Sequence, residues 1–118
     1  MLNRYRYVPA LLLVATVWIA TPACATQTYG NRDRGYAREL ERRAYDNGFN
    51  AGVREGQNDA RRGRAFSFER HNQFRDADQG YHRGDGDREL YRRSYRQGFE
   101  AGYKRDYRAY FRGNPGRG

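Results

Sequence analysis

Residues 38–57, RELERRAYDNGFNAGVREGQ, return fifty positions later as residues 88–107, RELYRRSYRQGFEAGYKRDY, with ten of the twenty positions identical. The motif D-x-G-Y also occurs twice, at 33–36 and at 78–81, but forty-five positions apart, so the second copy carries a five-residue insertion around 82–86. Each unit is therefore D-x-G-Y, a connection, and a segment of helix length. Two units are fewer than a stacked repeat array requires, so the chain reads as a duplicated helix. Neither segment contains Pro, both are rich in Arg, Ala, Glu and Tyr, and Asp or Gly stands just upstream of each. These features predict helices over about 36–62 and 87–112.

Residues four apart share a helix face. In the second segment Tyr91, Tyr95, Phe99, Tyr103, Tyr107 and Phe111 form an aromatic ridge. One position ahead, Arg92, Arg96, Lys104, Arg108 and Arg112 form a basic ridge broken by Glu100; one position behind, Ser94, Gly98 and Gly102 form a small-residue ridge. The first segment has a fuller small ridge, Ala44, Gly48, Gly52, Gly56 and Ala60, beside a shorter row of Tyr45, Phe49 and Val53. Three interior glycines cost about 2 to 3 kcal/mol relative to alanine. The expected return is close approach, with aromatic side chains of one helix lying in the glycine groove of the other, as in small-xxx-small packing. The expected architecture is all-α: a signal helix, then two duplicated helices packed as a crossed helical hairpin. Contact should centre on Phe49 and Gly52 against Phe99 and Gly102, with Gly48, Gly56 and Gly98 alongside. Between the helices, residues 63–86 carry Phe66, Phe68, Phe74 and Tyr81 among polar neighbours. This irregular aromatic connection reads as a loop packed across the pair or as a loop with a short helix near 71–78. The ends, 26–32 and 113–118, are expected to be loose.

The first 25 residues read as a signal peptide. Arg4 and Arg6 precede an apolar run over 8–20, and Ala23-Cys24-Ala25 fits an A-x-A cleavage site. The run is shorter than the roughly 20 residues that span a membrane, so no stable span is expected after cleavage. Alternatives at this end are a retained anchor and lipidation at Cys24. Residues 26–118 then form one small helical domain without a thiol, and a periplasmic or extracellular location follows. Leu40, Val53 and Leu90 are the only branched aliphatic residues of that domain. A core must therefore be aromatic, and the small apolar inventory predicts self-association or a bound partner.

The net charge is +9, and Lys104 is the only Lys among 23 basic residues. Such a balance favours anionic partners, and arginine suits bidentate contact with carboxylate or phosphate and stacking on tyrosine. The repeated D-x-G-Y and R-E-L-x-R-R-x-Y-x-x-G-F-x-A-G patterns resemble a loose group of small exported Arg- and Tyr-rich bacterial proteins with G-[YF]-x-x-G helices and no assigned activity. The resemblance implies export and helical duplication, and carries over no site.

No enzyme class is supported. After the leader the aliphatic hydroxyls are Thr26, Thr28, Ser67 and Ser94, none in a nucleophile motif. His71 and His82 stand apart from any thiol, and Asp76, Asp78, Asp85, Asp87 and Glu89 lack the spacing of a calcium loop, so they read as capping and pairing carboxylates. Arg83-Gly84-Asp85 spells an adhesion tripeptide that so Arg-, Gly- and Asp-rich a chain produces by chance. No cofactor or metal is expected. The resulting expectation is a non-enzymatic exported structural or interaction protein of the bacterial cell envelope or periplasm, acting with itself or with an envelope protein. The alternative is a binder of anionic polymers: lipopolysaccharide, wall polymer or extracellular nucleic acid. Candidate contacts are Arg92, Arg96, Tyr107, Arg108, Tyr110, Phe111 and Arg112.

Overall fold

A computed structural model describes residues 27–116; the signal-peptide reading falls outside the described residues. Three helices and no strand occur among them: α1, Gln27–Arg61; α2, Asn72–Asp76; and α3, Arg88–Gly113. α1 starts well before residue 36 and takes in most of the segment expected to be loose, since no Pro interrupts it. α3 differs from expectation by one residue at each end. Asp87 starts it, its Oδ1 accepting from the backbone N–H groups of Glu89 at 2.8 Å and Leu90 at 3.2 Å.

The long helices pack against each other, but they run parallel and not as a hairpin. A Cβ on Gly48 would sit 2.8 Å from the carbonyl carbon of Tyr95, and one on Gly52 would sit 2.8 Å from that of Phe99. One on Gly56 would meet the Tyr103 carbonyl oxygen at 2.6 Å. Partner numbers rise together along both helices, which only a parallel pair allows. The reciprocal contacts are present as well. A Cβ on Gly98 would lie 2.9 Å from the Tyr45 carbonyl carbon, and one on Gly102 would lie 3.0 Å from that of Phe49. Gly48 meets Tyr95 as Gly98 meets Tyr45, and Gly52 meets Phe99 as Gly102 meets Phe49. The two copies are thus related by an internal pseudo-twofold axis along the pair, the arrangement an isologous contact produces.

This corrects the expected filling of the groove. Each glycine row is filled by the other helix's backbone, not by its aromatic rings, and the rings are turned aside. Such approach brings Cα–H groups against carbonyl oxygens, a recurring contact at close helix pairs. The pseudo-symmetry lapses where Asp106 stands at the position equivalent to Gly56. Its carboxylate instead accepts from Gln57 Nε2 at 2.5 Å and pairs with Arg105 at 2.7 Å.

A parallel pair needs a connection that returns along its length, about 30 Å for the packed part of α3. Residues 62–87 supply it as a strap laid on the aromatic ridge of α3, with α2 midway. The hairpin expectation overlooked this length, which a tight helix–helix turn does not require.

Candidate functional site

The tyrosine hydroxyls of α3 fasten the strap at successive points. Tyr107 donates to the Arg64 carbonyl at 2.7 Å, Tyr95 to Gln79 Oε1 at 3.0 Å, and Tyr91 to the Gln79 carbonyl at 2.7 Å while accepting from Asn47 at 2.8 Å. Tyr103 accepts from the Ser67 backbone N–H at 3.3 Å. Phe99 breaks the run of hydroxyls where none is needed. Its ring lies 5.7 Å from the Phe74 ring and 5.9 Å from the His71 ring, whose nitrogens are turned to Glu55 and Asp59 of α1. The backbone carbonyls ending α2 are met by arginine. Arg96 donates to the Phe74 and Arg75 carbonyls at 3.1 and 2.7 Å, and Arg92 to the Asp76 carbonyl at 2.9 Å. Tyr91, Tyr95, Phe99 and Tyr103 are buried completely as a result.

One carboxylate centres the lower half of this joint. Asp59, 1% exposed, has Oδ2 within 2.6 Å of the Tyr103 hydroxyl, 2.7 Å of Arg70 and 2.8 Å of His71 Nε2. The other imidazole nitrogen faces Glu55 at 3.3 Å. Burial alone would push the Asp59 carboxyl up; the hydrogen bonds from Tyr103, Arg70 and His71 outweigh burial and hold it below the usual carboxylate range. A folded-state value below the unfolded one gives stability that is present above about pH 4 and lost as pH falls through the folded value. Asp59→Asn should therefore melt earlier than the parent at neutral pH, with the gap closing in acid. Thermal unfolding followed between pH 3 and 7 measures it, and an equal gap throughout would deny Asp59 this role.

Among the described residues the equivalent face of α1 carries no strap. Tyr45, the counterpart of Tyr95, is 39% exposed, and Phe49 and Val53 are half-buried. Tyr45 stacks on Phe49 with centroids 6.2 Å apart, and the Arg105 guanidinium lies 4.6 Å from the Phe49 ring centre. Above them opens a cleft of about 400 Å³ between the helices, lined by Arg38, Glu41, Arg42, Tyr45, Arg93, Ser94 and Gln97. Arg42 pairs with Glu39 of its own helix at 2.8 Å. Arg38 and Arg93 have no carboxylate within 4.0 Å among the described residues.

The candidate contact residues divide. Arg92, Arg96 and Tyr107 are engaged with the strap. Arg108 and Arg112 are exposed, Phe111 packs 5.2 Å from Tyr107, and Tyr110 lies edge-on to Phe111 at 5.5 Å. The packing residues Gly48, Gly52, Gly56, Gly98 and Gly102 all lie at the close approach, against the backbone beside Phe49 and Phe99. Asp85 of the Arg83-Gly84-Asp85 tripeptide is turned inward, pairing with Arg43 at 2.9 Å and accepting from the His82 backbone N–H at 2.7 Å. Sequence reasoning missed Arg38, Arg42, Tyr45, Arg93 and Arg105. Comparing the two copies position by position reveals them, because their duplicates touch the strap.

No family model, curated protein or solved structure matches this chain. No helix among the described residues is long and apolar enough to cross a membrane.

Proposed function

We propose that the chain is a non-enzymatic interaction protein, exported to the bacterial cell envelope or periplasm, which presents the open face of α1 to a partner. The carrying observation is the contrast between two equivalent faces. One is sealed by the strap, while the other leaves Tyr45 39% exposed beside Phe49, Val53 and an arginine-lined cleft. Aromatic and arginine side chains grouped this way are the composition of protein contact surfaces. Export rests on the A-x-A site at residues 23–25.

Two measurements test this reading. Mass spectrometry of the exported protein should find Thr26 as the first residue; acyl chains on Cys24 would make it a lipoprotein instead. A photoreactive group at position 45, in cells that make the protein, should give a discrete crosslinked product that the same group at exposed position 83 does not. Equal labelling from both positions would remove the α1 face as the contact.

A second reading, an anionic polymer as ligand, is favoured by Arg38 and Arg93, which line the cleft with no carboxylate within 4.0 Å among the described residues. Lipopolysaccharide and labelled oligonucleotides, titrated across salt concentrations, test it. Polymer binding should weaken steeply with salt and with Arg38→Ala.

A further inference from the structure

The internal duplication shows what the open face is shaped to hold. Each arginine of the open cleft has a duplicate fifty positions away, and every duplicate already grips the strap. Arg88, the counterpart of Arg38, pairs with Asp78 of the strap at 3.0 Å. Arg43, the counterpart of Arg93, pairs with Asp85 of the strap at 2.9 Å. Arg92, the counterpart of Arg42, donates to the strap's Asp76 carbonyl at 2.9 Å while also pairing with Glu89, as Arg42 pairs with Glu39. Tyr95, the counterpart of Tyr45, donates to Gln79 of the strap. Three arginines and a tyrosine that meet an acidic, turn-rich, aromatic-bearing segment on one side are thus repeated on the other, where Arg38 and Arg93 have no carboxylate within 4.0 Å among the described residues; Tyr91 and Arg96 are not repeated, their counterparts being Glu41 and Asp46.

The lower halves of the two faces differ in charge. On the covered side Glu55 and Asp59 hold the strap's His71 and Arg70. Fifty positions on, Glu55 becomes Arg105 and Asp59 becomes Ala109, so neither carboxylate that holds the basic part of the strap is repeated on the open side, where Glu41 lines the cleft among three arginines. We infer that the open α1 face docks an acidic, turn-rich segment of another protein, with carboxylates for Arg38 and Arg93 and an aromatic side chain for the Tyr45–Phe49 row. The inference rests on the interaction reading and names its partner by chemistry. A second copy of this chain does not fit the role, because its own strap is committed to its own α3.

The chain supplies the probe. A synthetic peptide of residues 72–87, NQFRDADQGYHRGDGD, carries Phe74, Tyr81 and the carboxylates of Asp78 and Asp85. A peptide of residues 62–71, RGRAFSFERH, carries the basic half. With the full mature chain and fluorescent peptides, the first should bind saturably and the second at least tenfold more weakly. Arg93→Glu and Tyr45→Ala should each weaken the first by tenfold or more, and Arg83→Glu should change it less than twofold. A peptide with Asp85→Arg should recover binding to the Arg93→Glu protein, which a merely misfolded variant cannot do. The inference is overturned if the 72–87 peptide does not bind, if both peptides bind alike, or if the charge swap recovers nothing. If peptide binding fails while position 45 still crosslinks in cells, the partner has another chemistry and the interaction reading stands. If lipopolysaccharide or oligonucleotide binds and is insensitive to Tyr45→Ala, the face is a general polyanion surface and the peptide inference falls.

Discussion

Gly52→Ala should destabilise the protein by about 3 kcal/mol or more, while Gly35→Ala in the same helix should stabilise it by up to about 1 kcal/mol. The chemistry of the two changes is identical and the surroundings are opposite. A methyl group at Gly35 meets nothing within 4 Å and only removes the conformational freedom of the unfolded glycine. A methyl group at Gly52 falls 2.8 Å from the Phe99 carbonyl carbon and 2.9 Å from the Tyr103 amide nitrogen. Those are backbone atoms inside a helix, so relief requires the two helices to separate, which also loosens the reciprocal contact at Gly102. Arg54→Leu, on an exposed position two residues away, should shift stability by only about 0.5 kcal/mol. Urea unfolding of the three variants measures the differences, and similar midpoints for Gly52→Ala and Gly35→Ala would rule out glycine-mediated packing.

Alkali should unfold the protein between about pH 10 and 12. Burial, and next the neighbouring Tyr91, push the Tyr95 hydroxyl up to about 12; burial, and next the hydrogen bond to Asp59, push Tyr103 up to about 12. For each, the folded value exceeds the unfolded value near 10, so its contribution is fully present below pH 10 and is lost as pH rises through 12. Both tyrosines therefore withdraw stability over the same window, and a small domain has little to spare. Far-ultraviolet circular dichroism should show helix loss in that window, beginning at higher pH in Tyr103→Phe, if this variant is compared at matched starting stability. Helicity unchanged to pH 12 would contradict the burial of both rings.

The glycine rows, the aromatic ridge and the aromatic connection were all readable from spacing, because a helix face repeats every four residues whatever lies against it. Direction was not readable. Gly48, Gly52, Gly98 and Gly102 would suit a parallel or an antiparallel neighbour equally, and the choice rests on a strap held by hydroxyl groups far away in sequence. Tyr107 reaches Arg64 and Tyr91 reaches Gln79, and no periodicity announces such pairs. The basic ridge misled for a related reason. Arg92 and Arg96 read as contacts for an anionic ligand or partner, yet they meet backbone carbonyls at the end of α2, acceptors that composition does not display. Asp59, Arg70, His71 and Tyr103 converge from three segments to make a joint that neither motif nor spacing marks. Tyr45 and Arg93 were hidden in a different way: their significance lies in what their duplicates do, and only the folded strap shows that.

Tyr45 and Tyr95 occupy the same position in the two copies, so their reactivities in one folded molecule compare the two faces directly. Nitration by tetranitromethane at neutral pH, quantified for each peptide by mass spectrometry, makes the comparison. A parallel pair with one sealed face predicts ready modification of Tyr45 and protection of Tyr95 on the order of tenfold or more, lost together with helicity in denaturant. Equal modification of the two tyrosines in the folded chain would contradict it.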